Sequence, residues 1–136
     1  KSNIEFDKIL VDAPCSGTGT IRKSLKTLRI WNPNMVKRLS ITQKQLLETS
    51  FTIDINNRMG YNLKEPVKNA GKSILTSAVL PGTIQLTPSG KLIVLMNDCQ
   101  TTGGYPRVLQ LAKNSLSILS QKKRNDQVKF SLLCDD

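Results

Sequence analysis

Two groups of residues in this 136-residue chain have types and spacing suited to chemistry. The first is Asp12-Ala13-Pro14-Cys15-Ser16-Gly17-Thr18-Gly19, directly after the apolar run Ile9-Leu10-Val11. An unbroken Ile, Leu, Val run predicts a strand buried on both faces, as in a parallel sheet. Ligands in such sheets sit beyond the carboxyl ends of the strands, and there this loop carries an acid and a thiol. A thiolate is a good nucleophile, and Lys8, Arg22 or Lys23 nearby would lower its pKa. A structural cysteine in a tight turn fits the same residues.

The second group pairs Asn57-Arg58-Met59-Gly60-Tyr61 with Gln100-Thr101-Thr102-Gly103-Gly104-Tyr105-Pro106. Two adjacent glycines permit a ligand to approach the backbone closely. Thr hydroxyls, a Gln amide and exposed N–H groups suit a carboxylate or an amide, and Arg58 suits a carboxylate. A ligand-free turn fits equally well.

The elements that must position these groups follow from patterning. Asn32-Pro33 is a helix start, and Met35, Val36, Leu39, Gln43, Leu46 and Leu47 have helical spacing, so 33–49 is predicted as an amphipathic helix. Residues 51–55 alternate with period two and predict a strand. Further strands are predicted over 73–78, 83–86, 91–96, 108–112 and 128–133, with breakers at Pro81-Gly82 and Pro88-Ser89-Gly90. Ser115–Leu119 reads as a short helix or turn. Asn56-Asn57, Gly60 and 63–66 read as turn and loop.

Composition narrows the chemistry. There is no histidine, which excludes a His general base, a His metal ligand and a Ser-His-Asp triad. Three cysteines, Cys15, Cys99 and Cys134, form no C-x-x-C pair, so neither a disulfide framework nor a zinc site is expected. No metal or cofactor is expected, and the cysteine usage implies a reducing, cytoplasmic compartment. Twenty basic against ten acidic residues give a net charge of +10, divided evenly between 1–50 and 51–136. Weak nucleic-acid binding is the partner such charge suggests. Aromatics make up 4%, too few for a single-strand stacking platform. No apolar run reaches the ~20 residues that span a bilayer, so no membrane partner is expected.

Residues 6–47 resemble the RNA cytosine-5 methyltransferases. The resemblance is carried by FDKILVDAPCSGTGTIRKS, the following WNP and the helix with TQKQLLE. It implies that Asp12 contacts the flipped cytosine, that Cys15 assists product release, and that Arg22 and Lys23 lie near the RNA backbone. That family's cofactor loop and its Thr-Cys nucleophile have no counterpart here, and the chain reads as a segment of something longer. Residues 51–133 resemble the biotin-dependent carboxyltransferases, which include the KipA-like subunits of 5-oxoprolinase and a domain of urea carboxylase. The strings NNRMGYNL, ILTSAVLPGTIQLTPSGKLIVLMNDCQTTGGYP and QVKFSLL carry it. It implies a cyclophilin-like β-barrel whose substrate site is lined by Arg58, Gln100, Thr101, Gly103, Gly104 and Tyr105.

The expectation is therefore an α+β, mostly β chain: one Rossmann-like βα unit over 1–50 joined to a partial cyclophilin-like β-barrel over 51–136. With two unrelated resemblances meeting near residue 50, the sequence predicts a recombined or engineered chimera without catalytic activity. The alternatives are a 5-oxoprolinase or carboxyltransferase subunit fragment, and an RNA methyltransferase fragment or basic RNA-binding module. Open strand edges would lead it to a homo-oligomer.

Overall fold

The computed structural model describes residues 4–5, 9–10, 33–68, 73 and 76–131. Asp12, Cys15, Arg22 and Lys23 lie outside the described residues. The elements are β1 (Ile4–Glu5), β2 (Ile9–Leu10), α1 (Pro33–Glu48), β3 (Ser50–Asn56), β4 (Gly60–Leu63), β5 (Ser77–Ala78), β6 (Thr83–Leu86), β7 (Leu92–Leu95), β8 (Thr102–Gly103), β9 (Arg107–Leu111), α2 (Lys113–Ser120) and β10 (Gln127–Lys129).

The fold is mostly β. Six strands in the order β10-β3-β4-β7-β6-β9 pair antiparallel and form a half-barrel. β1 adds parallel to β10, and β2 adds antiparallel to β9. β5 and β8 form a separate two-stranded ribbon. The antiparallel pairing of β2 corrects the expectation of a parallel, Rossmann-like strand at Ile9-Leu10. An apolar run encodes burial and not direction; here two residues pair with the free side of β9, Ile9 opposite Leu111.

Local sequence explains most of the frame. α1 opens on Pro33, whose fixed φ suits the first helical turn. Its later turns bury Thr42 and Leu46, four residues apart on one face. The β6–β7 hairpin is closed by Thr87-Pro88-Ser89-Gly90. The Thr87 N–H donates to the Lys91 carbonyl at 2.9 Å, and Gly90 sits at a φ of 84° that favours glycine. A Cβ on Gly90 would also lie 2.7 Å from the Val67 carbonyl oxygen. Ile84 faces Val94 and Leu86 faces Leu92 across this hairpin.

Three differences from the sequence reading have physical causes. β4 occupies residues read as turn and loop; Tyr61 and Leu63 alternate inward, but four residues between turn formers are too short to show a period. Ile55, expected to share the inner face with Phe51 and Ile53, is 51% exposed. The β3–β4 register shifts between Ile53 and Ile55, and such an irregularity turns the next side chain outward. The strand expected over 128–133 ends at Lys129 within the described residues.

The core joins both helices to the sheet. Leu46 of α1 and Leu116 and Leu119 of α2 pack with Phe51, Ile53, Leu63, Ile84, Leu92, Val108 and Phe130. Phe51 and Phe130 meet as a tilted ring pair with centroids 5.5 Å apart. Among the described residues, no helix is long and apolar enough to cross a membrane.

Candidate functional site

The β3–β4 turn is built by Asn57. Its side-chain oxygen accepts from the N–H groups of Met59 and Gly60, both at 2.9 Å, and its own N–H donates to the Gly60 carbonyl at 3.2 Å. Asn is favoured in turns for this bonding. The turn projects Arg58 into solvent. Gly60 lies opposite Leu95, and the pairing continues beyond the strands: the Met96 N–H donates to the Met59 carbonyl and the Asp98 N–H to the Arg58 carbonyl, both at 3.0 Å. That register brings Asp98 against Arg58. Arg58 Nε stands 2.6 Å from Asp98 Oδ2, and Nη2 donates to Oδ1 at 3.3 Å.

An open cleft of about 420 Å³ lies beside this pair. Asn56, Asn57, Arg58, Tyr61, Met96, Asn97 and Ser120 line it. Tyr61 is buried, and its single hydroxyl hydrogen is shared between the Ser120 carbonyl at 3.2 Å and the Lys122 carbonyl at 3.4 Å. The wall therefore combines the β3–β4 turn, the end of β7 and the end of α2. Chemically it offers amides, a hydroxyl and one guanidinium over an apolar floor at Met96, which suits a small polar or anionic ligand.

The residues that the resemblance grouped fall on two segments of the chain. Arg58 lines the cleft. Gln100, Thr101, Gly103, Gly104 and Tyr105 form the loop that follows it, seated on the sheet. The Thr101 carbonyl accepts from the Val79 N–H at 3.0 Å. Ala78 faces Thr102, and Ser77 faces Gly103, in the β5–β8 ribbon. Gly103 lies over the buried Gln85 amide, and a Cβ there would stand 2.5 Å from Gln85 Nε2. Gln85 Nε2 in turn donates to the Tyr105 carbonyl at 3.3 Å. A side chain at 103 would therefore have to displace the end of the Gln85 side chain beneath it.

Cys99 sits between the two groups, partly buried. Burial raises its thiol pKa, and a backbone hydrogen bond opposes that in part. Sequence reasoning missed Asn56, Met96, Asn97 and Ser120 as lining residues. Asn56 carried a signal read only as turn chemistry, whereas Ser120 lies far along the chain and carried none.

These features can be set beside known proteins. The family described as carboxyltransferase domain, subdomain A and B, matches residues 22–132. The chain belongs to that family. The match passes across residue 50, so a chimeric join there finds no support. The chain is 38% identical over 77 residues to a 5-oxoprolinase subunit of Escherichia coli (strain K12), covering 55% of this chain and 25% of that protein. It is 52% identical over 142 residues to ribosomal RNA small subunit methyltransferase F of Shewanella piezotolerans, covering 92% of this chain and 30% of that protein. The crystal structure of the K. lactis urea amidolyase superposes with a TM-score of 0.65 at 16% identity, covering 98% of this chain and 8% of the other, a likeness of fold. The chain thus spans about a quarter to a third of the curated relatives' length.

Proposed function

We propose that the chain is a carboxyltransferase segment of the kind found in the matching 5-oxoprolinase subunit, and that it contributes the binding of 5-oxoproline to a larger assembly. The observation that carries this reading is the family match from 22 to 132, which holds both the Arg58 turn and the Gly103-Gly104 loop. Arg58 pairs with the substrate carboxylate at the cleft. Gln100, Thr101, Gly103, Gly104 and Tyr105, on the segment that follows Asp98, supply further contacts to the substrate. Turnover is left to the rest of the assembly. Calorimetric titration of 5-oxoproline into the chain and into Arg58→Ala tests this. Saturable heat that weakens roughly ten-fold in the variant is expected, because a charged hydrogen bond is worth about 1.5–3 kcal/mol. A flat titration of the unaltered chain would end the reading.

A second reading is favoured by the 52% identity to the methyltransferase of Shewanella piezotolerans. In it the chain is a basic RNA-binding module, with Arg22 and Lys23 at the backbone and Asp12 and Cys15 as the vestige of a cytosine site. Affinity for a short RNA that falls steeply between low and moderate salt is its signature. Salt-independent binding, or none, removes it. Under either reading we propose a homo-oligomer, since the sheet ends on β1 and β2, whose outer edges pair with no strand among the described residues. Light scattering that gives the mass of one chain across a wide concentration range would refute that.

A further inference from the structure

We propose that Asp98 is an internal stand-in for a ligand carboxylate, holding Arg58 ready and setting how strongly the cleft prefers anions. The inference rests on the reading of the cleft as the substrate site. Arg58 lines the cleft and Asp98 does not. Both carboxylate oxygens of Asp98 face one guanidinium edge, at 2.6 and 3.3 Å, the forked geometry that an incoming carboxylate would adopt. The acid is anchored through its backbone N–H on the Arg58 carbonyl, so releasing the guanidinium need not move the main chain.

The pair is also exchangeable. The Arg58 side chain is 87% exposed and that of Asp98 44%, and ion pairs in such settings are weak. No acid stands among the described lining residues; Asn56, Asn57, Asn97 and Ser120 supply the polar lining. The Asn57 oxygen is committed to two backbone N–H groups, which leaves its NH₂ as the available donor. An entering carboxylate therefore meets donors and one cation, and replaces Asp98 with no change in the charge on Arg58's partner. A neutral ligand leaves the pair intact. Asp98 thus subtracts from the affinity for anions and leaves that for neutral molecules alone.

The test is calorimetry on the full chain, Asp98→Asn, Asp98→Ala and Arg58→Gln, each titrated with 5-oxoproline, acetate and uncharged 2-pyrrolidinone. Removing the competing charge is expected to tighten anion binding roughly two- to five-fold in both Asp98 variants. Binding of 2-pyrrolidinone is expected to stay constant, and Arg58→Gln to erase the preference for anions. Unchanged or weaker anion binding in Asp98→Asn overturns the inference, as does an equal gain for the neutral ligand or the absence of anion binding in every variant. If the unaltered chain binds 5-oxoproline while Asp98→Asn shows no gain, the functional reading stands and the inference falls. A gain for acetate without any 5-oxoproline binding does the reverse.

Discussion

The Tyr61 hydroxyl joins β4 to the end of α2, its one hydrogen shared between the carbonyls of Ser120 and Lys122 at 3.2 and 3.4 Å. Those are carbonyls of the helix's last residue and the turn beyond it, where no intrahelical donor is available. One phenol thus closes the cleft wall and satisfies a helix terminus.

Tyr61→Phe removes those bonds while keeping the buried ring. A loss of about 1 kcal/mol is expected, because the two carbonyls can recover water from the open cleft. Thermal denaturation should show this as a fall of roughly 4 °C. An unchanged midpoint would mean that the helix end is held by packing of Leu116 and Leu119 alone.

Gly103→Ala places a methyl against the Gln85 amide. A cost of about 1–3 kcal/mol is expected, as for other overpacked sites. The penalty should shrink in a Gln85→Ala background, where the obstructing amide is gone. A double-mutant cycle by urea denaturation measures the coupling; strict additivity would show that the glycine is needed for some other reason.

Cys99 predicts a pH dependence. Its folded pKa is raised above the unfolded value, chiefly by burial. Its contribution to stability is therefore fully present below the ordinary thiol pKa and is lost as pH rises through the raised folded value. Near and above the ordinary thiol range, Cys99 should alkylate more slowly in the folded chain than in the urea-unfolded one. Peptide mass spectrometry across that range resolves it, and equal rates would contradict the shift.

Much of the half-barrel was legible residue by residue. Thr83–Leu86 and Leu92–Leu95 are strands because β-branched and leucine residues are bracketed by Pro81-Gly82 and Pro88-Ser89-Gly90. α1 is a helix because Pro33 precedes an apolar stripe of helical period. Those are signals within one turn or one hairpin, and local sterics and spacing suffice to read them.

What tertiary structure alone decided is direction, register and long-range company. The apolar residues at Ile9-Leu10 say nothing about whether the neighbour runs parallel, and pairing with β9 made it antiparallel. Ile55 continues an inward alternation in the sequence, and a register shift against β4 exposes it. The cleft needs Asn57, Asn97 and Ser120 together, and Arg58 needs Asp98 forty positions away. Each of these depends on strand pairing and helix docking summed over the whole core, which no local window of sequence contains. Local order along the chain dictates which residues turn, alternate or coil; the packed sheet dictates which of them meet.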